Sequence, residues 1–543
     1  MQTWTVRGRL VALVILVSGL GGTTAQAQLP TRFDTWKASS PGHAPAAACR
    51  DLRAVSGFEF SIDAAVAVGD RPGVAEFCEI QGLIQPEVRF ELSLPRSWNG
   101  RLYMFGNGGY AGENLRSQGR LNLRDAALAK GFAVVQTNTG HSAAREPLAS
   151  FALHPQKLSD YAYRAVHVTA LAAKSLAQTY YGRRPDRSYF DGCSTGGRQG
   201  LISAQRFPDD FDGIVVGAPV LDFSGTMIHY LQVNQAMRAA SGLAKKMNAV
   251  ESAIYGKCDG ADGVKDGLID DPRACRFDPA ADLAACTAGS NGDSCFTAEE
   301  VKALQAVYGD VAIGGVKRFP GFPPGAEASV PTPKGPQSGW DPWIVAASGQ
   351  PPISTRFLET FFKYMVTPGT EIDWTTVDLA KSVEMTRSIS TLLDATDPDL
   401  NRFKARGGKI LMYYGWADPA LNAMMGVEYY ERVRQTMGAG ATDFFRLFMM
   451  PGVFHCAGGV GPDRFDAITT LAQWVEQGVA PDRIVASKVV DGKTTRTRPL
   501  CPYPQVAKHS GSGSIDDAAN FVCTAPAPPG SSSATRGQTR REE

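Results

Sequence analysis

The sequence predicts an α/β fold built on a parallel sheet, and three observations support this. Short apolar runs alternate with amphipathic helical stretches, the pattern of strands that cross over through helices. The pentapeptide Gly192-Cys193-Ser194-Thr195-Gly196 fits G-x-S-x-G, in which a serine sits on a sharp strand-to-helix turn with its hydroxyl exposed. Strand signals fade after about residue 220 and return at residue 409. That spacing describes one sheet interrupted by an insertion. Two tandem domains would leave the later strands without a sheet.

The elements follow in chain order. Arg7 and Arg9 precede the apolar run Leu10 to Leu20, and Ala25-Gln26-Ala27 is a small-residue cleavage signal. Residues 1–27 therefore read as a signal peptide, with a mature start at Gln28. The apolar run is shorter than the roughly 20 residues a bilayer span needs, and no later segment is apolar enough to cross a membrane. Residues 28–220 carry the first part of the core. Leu102 to Phe105 is a strand ending in Gly106-Asn107-Gly108-Gly109, and Phe132 to Thr137 is a second. Tyr161 to Tyr180 is a helical pattern rich in Ala and Leu. Arg187 to Phe190 is the strand before the pentapeptide, Gln199 to Arg206 the helix after it, and Gly213 to Ala218 the next strand. Residues 221–388 read as an inserted lid of helices, cysteine pairs and a Pro/Gly/Trp-rich stretch. Residues 389–523 return to the sheet with strands at Lys409 to Tyr414 and Phe444 to Met449. The tail, residues 524–543, has a composition expected to be disordered.

Charge excludes some partners. The chain has 55 Lys+Arg and 54 Asp+Glu, and removal of the leader takes away two basic and no acidic residues. Near-zero net charge gives no electrostatic case for nucleic acid or a membrane surface as partner. The ten cysteines, Cys49, Cys78, Cys193, Cys258, Cys275, Cys286, Cys295, Cys456, Cys501 and Cys523, all follow the leader. An even count in an exported chain favours disulfides and a secreted or periplasmic location. Local spacing pairs Cys49 with Cys78, Cys258 with Cys275, Cys286 with Cys295 and Cys501 with Cys523, which leaves Cys193 and Cys456. Neither Cys-x-x-Cys nor His-Glu-x-x-His occurs, which argues against zinc.

Serine needs a base held in register by a third group. His455, in Pro451-Gly452-Val453-Phe454-His455-Cys456, lies just past one late strand, and Asp418, in Gly415-Trp416-Ala417-Asp418-Pro419, just past another. Taken singly, a histidine is usually a surface or core residue and an Asp-Pro a turn. Together, the order Ser…Asp…His at strand ends is the order an α/β-hydrolase uses. A disulfide between Cys193 and Cys456 would clamp the nucleophile loop to the base loop at a Cα separation of about 5.5–6 Å. The alternative is two unrelated buried thiols. The stretch Gly106 to Ala111 also matches the relaxed dinucleotide fingerprint G-x-G-x-x-A, but no βαβ continuation with a well-placed acidic residue follows.

With Cys193-Ser194, Asp418 and His455-Cys456 in view, the chain resembles the tannase/feruloyl esterase family of secreted serine esterases over most of its mature length, from about Cys49 to Cys523. The resemblance implies an α/β-hydrolase core with a large inserted lid domain, and hydrolysis of esters of aromatic acids such as ferulate, gallate or a terephthalate monoester. It implies Ser194, Asp418 and His455 as catalytic triad, and the amides of Gly109 and Thr195 as oxyanion donors. The segment Cys258 to Leu268 sets three carboxylates among glycines, a composition that suits either a hard cation or a solvated acidic turn, without the EF-hand spacing. The family carries a structural calcium in the lid at a matching segment. That implies Ca2+ held by the carboxylates of Asp259, Asp262 and Asp266 and the carbonyls of Val264 and Leu268.

For substrate recognition, the lid offers Trp340-Asp341-Pro342-Trp343, followed by Phe357, Phe361, Phe362 and Tyr364. Trp340, Trp343 and Phe357 are candidates to stack on an aromatic acyl group, with Arg356 for an acidic substituent; lid core is the competing reading for each. The terephthalate-monoester hydrolase of the family uses a lid arginine. The pattern around Arg356 differs, which leaves phenolic-acid esters ahead. A rival from another class is a non-catalytic, calcium-stabilised binding protein on a hydrolase fold, against which the intact Ser/Asp/His set argues.

Overall fold

The computed structural model describes residues 33, 35–37, 42–287, 292, 295–332, 335–345 and 349–526. The leader and almost all of the C-terminal tail lie outside the described residues.

Nine strands form the central sheet: β1 (Phe60–Val68), β2 (Phe77–Ile84), β3 (Val88–Pro95), β4 (Arg101–Phe105), β5 (Ala133–Thr137), β6 (Arg187–Cys193), β7 (Gly213–Gly217), β8 (Lys409–Gly415) and β9 (Phe445–Met450). Their spatial order is β1-β2-β3-β5-β4-β6-β7-β8-β9. The pairs from β5 through β4, β6, β7 and β8 to β9 are parallel. The three strands at the other edge, β1, β2 and β3, pair antiparallel. That antiparallel edge was not anticipated, because its strands mix polar and apolar residues and precede the first clear strand–helix alternation.

The apolar runs of β4 to β9 are buried along nearly their whole length, as expected of parallel strands covered on both faces. The alternation in β6 shows the two layers. Tyr189 donates to Glu476 on helix α10 (Ala467–Gln477), and Phe190 packs toward Gly200 on helix α3 (Thr195–Arg206). Successive residues of a strand point to opposite faces, so α3 and α10 cover opposite sides. Helices α1 (Gln118–Leu128) and α2 (Ala165–Tyr181) precede α3 in chain order, and α9 (Ala423–Met437) lies between β8 and β9.

The insertion contributes helices α4 (Phe223–Met237), α5 (Met247–Cys258), α6 (Ala298–Tyr308), α7 (Ile353–Phe361) and α8 (Leu379–Leu393). The expected lid boundary at residue 388 falls inside α8. The stems are tied where they meet: Ala395 N donates to Leu221 O at 2.7 Å. Lid and sheet share one continuous buried cluster. Beyond the sheet, the segment expected to be core also forms two antiparallel hairpins, Ile484–Val490 with Lys493–Leu500 and Val506–His509 with Phe521–Thr524. No helix among the described residues is long and apolar enough to cross a membrane.

Candidate active site

Four loops at the carboxyl ends of parallel strands make the site. β6 runs directly into Ser194, and α3 starts at Thr195. Ser194 adopts φ 64°, ψ −123°, a conformation costly for a residue with a side chain. The turn is tight enough that a Cβ at Gly192 would lie 2.4 Å from Gly196 C, so only glycine fits there. The Ser194 N–H donates to Gly217 O at 3.0 Å, tying the elbow to β7.

The ladder Cys193, Gly217, Tyr413, Phe448 runs across β6, β7, β8 and β9. It brings the ends of β8 and β9, with the loops that follow them, to the same edge as the elbow. Asp418, on the loop after β8, has a fully buried side chain. Its Oδ1 accepts from the Ala420 and Leu421 amides at 2.9 and 2.8 Å, and its Oδ2 lies 2.8 Å from His455 Nδ1. One carboxylate oxygen is thus held by the backbone while the other orients the imidazole. His455 follows β9. The next residue, Cys456, has φ 66° and is bonded to Cys193 with a Cα–Cα distance of 5.9 Å. The bond joins the residue before Ser194 to the residue after His455. The other four disulfides are Cys49–Cys78, Cys258–Cys275, Cys286–Cys295 and Cys501–Cys523, so each expected pair is formed.

The loop after β4 faces the elbow. Gly108 O accepts from Ala111 N at 2.8 Å. Because the peptide is planar and trans, the Gly109 N–H points away from that turn. Gly109 has φ +51°, which favours glycine. The Thr195 amide, in the first turn of α3, has no acceptor within its own helix. Hydrogen bonds fix this loop to the rest of the core. Gln199 on α3 accepts from Asn107 N at 3.1 Å and donates to Asn107 Oδ1 at 3.3 Å. Glu113 accepts from Gly108 N at 2.8 Å and pairs with Arg120 at 3.0 Å. Nothing in the sequence marked Gln199 or Glu113, since neither belongs to a motif and each acts across the fold.

The lid touches the loops after β4 and β9. Trp343 stands edge-on to His455, with ring centroids 5.6 Å apart. Phe357 lies against Gly109, its backbone O accepts from the Tyr110 hydroxyl at 3.0 Å, and its ring packs on Tyr110 at 4.7 Å. Burial pushes the Tyr110 phenol well above its ordinary value, so it remains a donor. Arg356, the preceding residue, is exposed on α7. Trp340 lies elsewhere. It is only 2 % exposed, its indole N–H donates to Glu327 at 2.9 Å and its ring packs on Phe322. That is lid interior, which corrects its expected role as a stacking residue: at this depth of burial neither face of the ring is open to a substrate.

In the acidic loop, the Asp262 carboxylate accepts from Val264 N, that of Asp259 from Asp266 N and Gly267 N, and that of Asp266 from Leu268 N. The other Asp266 oxygen pairs with Arg498, which is fully buried against Phe521. Leu268 is buried and packs against Gly452, three residues before His455. Asp270 is 6 % exposed, with both carboxylate oxygens lacking a hydrogen-bond partner. Among the described residues, no three acidic, His or Cys side chains stand together as a metal-holding group. The donor chemistry nevertheless fits a hard cation, because the buried Asp270 carboxylate adds to that of Asp266 beside a single buried guanidinium, and an unpaired buried charge is costly.

Fold and site together define a carboxylic ester hydrolase on the α/β-hydrolase fold. Residues 73–524 match the family model described as tannase and feruloyl esterase. The mono(2-hydroxyethyl) terephthalate hydrolase of Piscinibacter sakaiensis is 34 % identical, with 86 % of this chain and 87 % of that protein covered. A protein of Aspergillus terreus named probable feruloyl esterase B-2 is 30 % identical over 80 % of this chain and 83 % of its own length. The crystal structure of feruloyl esterase B from Aspergillus oryzae superposes with a TM-score of 0.76 at 27 % identity, covering 88 % of this chain and 99 % of that one. The chain belongs to the tannase and feruloyl esterase family.

Proposed function

We propose that this protein is a secreted serine esterase that releases aromatic, phenolic-type acids from their esters. Ser194 Oγ attacks the ester carbonyl while His455 Nε2 takes its proton. Asp418 keeps Nδ1 protonated and stabilises the imidazolium. The Gly109 and Thr195 amides receive the oxyanion. Collapse expels the alcohol, which takes the proton from His455. Water, deprotonated by His455, then attacks the acyl-enzyme, and the acid leaves as Ser194 regains its proton. The observation that carries this reading is the Cys193–Cys456 disulfide, because it joins the immediate neighbours of the nucleophile and of a histidine already oriented by Asp418. Export is supported by the five disulfides and by the leader-like N-terminal sequence.

The acyl group is proposed to lie between Phe357, beside Gly109, and Trp343, beside His455. A second reading is a monoester of an aromatic diacid, favoured by the relative from Piscinibacter sakaiensis. Arg356 would then meet the free carboxylate. The acidic loop is proposed to hold one calcium ion through Asp259, Asp262, Val264, Asp266 and Leu268. The ion would supply charge neutralisation to the lid and no step of the ester chemistry.

The test is labelling and turnover. Ser194→Ala should lose both fluorophosphonate labelling and at least about 10⁴-fold in kcat on methyl ferulate, with His455→Ala close to it. Near-wild-type turnover by Ser194→Ala would refute the mechanism. Methyl gallate and a terephthalate monoester, assayed beside the ferulate ester, separate the two substrate readings.

A further inference from the structure

Two hydroxyls converge on the Gly109 carbonyl. Thr195 Oγ1 donates to it, and so does the Tyr161 hydroxyl at 3.0 Å; the two hydroxyl oxygens are 3.4 Å apart. A carbonyl has two lone pairs, and both are used here. Glycine can adopt either sign of φ, so without such ties the peptides around Gly109 could rotate and carry its N–H away from the substrate. The ties secure the far side of Gly109, and the Ala111 N–H to Gly108 O bond secures the near side.

Tyr161 is itself held unusually firmly. It sits in a π-helical turn, Asp160–Arg164, and is 1 % exposed. Wide turns of this kind concentrate at functional sites. Arg198, fully buried on α3, donates to Tyr161 O at 3.2 Å and Ala162 O at 3.0 Å, and its guanidinium lies 4.9 Å from the Tyr161 ring centroid. The helix that opens with the Thr195 amide therefore also grips the turn that aims Tyr161. Burial raises the Tyr161 phenol above its ordinary value, so it stays a proton donor across the working range of an esterase.

We propose that Tyr161, acting with the Thr195 hydroxyl, is a positioning residue of the oxyanion hole: it fixes the Gly109 peptide so that two amides meet the tetrahedral oxygen together. This rests on reading the Gly109 and Thr195 amides as the oxyanion donors. Tyr161→Phe removes the hydroxyl and keeps the ring under Arg198. Its kcat on methyl ferulate should fall about tenfold, a barrier change of about 1.4 kcal/mol. Affinity for an aryl boronic acid, whose tetrahedral Ser194 adduct presents the oxyanion, should fall in parallel. KM and inhibition by the free aromatic acid should hold, since neither needs the oxyanion contact.

Wild-type kcat and boronate affinity in Tyr161→Phe would overturn the proposal, as would a kcat loss with unchanged boronate affinity. Should that variant fail to fold, Thr195→Val reads the same node. It should lose kcat and boronate affinity together, and Thr195→Ser, which keeps the hydroxyl, should recover most of the loss; equal losses in Val and Ser would overturn it. A structure of the wild-type boronate adduct separates the two layers. If the adduct oxygen does not sit on the Gly109 and Thr195 amides, the oxyanion reading fails. If it does, and Tyr161→Phe behaves as wild type, only the positioning role fails.

Discussion

The base side and the oxyanion side of the Ser194 elbow are built by different means. On the base side, a covalent bond from Cys193 to Cys456 ties the histidine loop to the nucleophile. On the oxyanion side, hydrogen bonds to Gln199, Glu113, Tyr161 and Thr195 hold the Gly106–Gly109 loop, with no covalent tie. A disulfide fixes a distance between two loops of any composition but sets orientation loosely. A hydrogen-bonded network sets the direction of individual N–H groups, which is what a developing oxyanion requires. The lid then braces both sides, through Trp343 at His455 and Phe357 at Gly109.

Breaking the covalent side should produce the larger effect. Cys193→Ala with Cys456→Ala should cost about 2–4 kcal/mol of stability and about 10²-fold in kcat, since a small misplacement of reacting groups is enough for that loss. Circular dichroism and turnover at matched temperature separate the two. Unchanged kcat would show that packing alone holds His455 in register.

Breaking the hydrogen-bonded side should cost less and look different. Gln199→Met removes both bonds to Asn107 while keeping the chain length. It should lower kcat about tenfold and leave KM nearly unchanged, because ground-state binding does not use the oxyanion donors. Leaving buried partners unsatisfied adds about 1–3 kcal/mol of instability. A rise in KM with kcat preserved would place this loop in binding instead.

The lid braces sharpen the comparison further. Phe357→Ala should raise KM for aromatic esters by a factor equivalent to about 0.5–1.5 kcal/mol beyond lost area, with little change on p-nitrophenyl acetate. Trp340→Ala should lower melting temperature without that selectivity, as its burial against Phe322 and Glu327 requires. The smallest effect is expected from calcium removal. Chelation should lower the melting temperature, by only about 1 °C for each kcal/mol of lost binding because the unfolding entropy of so long a chain is large, and leave kcat/KM at 25 °C nearly intact. Asp262→Ala should abolish the chelator sensitivity.

Much of this protein was readable from its sequence. Six of the nine sheet strands announced themselves as apolar runs, and Ser194, Asp418 and His455 could be named because each is the strand-end residue of a short local pattern. The five disulfides followed from local spacing plus elimination. What the chain order did not show were groups that act across long sequence separations. The antiparallel edge β1-β2-β3 has no periodicity distinct from a half-exposed surface. Tyr161 lay within what read as a continuous helix, because a π turn has no composition signal of its own. Arg498, 232 residues from the carboxylate it pairs with, sits in an unremarked basic stretch. Trp340 and Trp343 are three residues apart and look alike in sequence; only the packed lid sends one into its interior and the other to His455. Sequence by itself picked out Ser194, Asp418, His455 and the Cys193–Cys456 clamp, because each lies in a local motif. The tertiary structure alone decided which amides, hydroxyls and aromatic faces surround them, because hydrogen-bond direction and burial depend on neighbours that the chain brings together only when it folds.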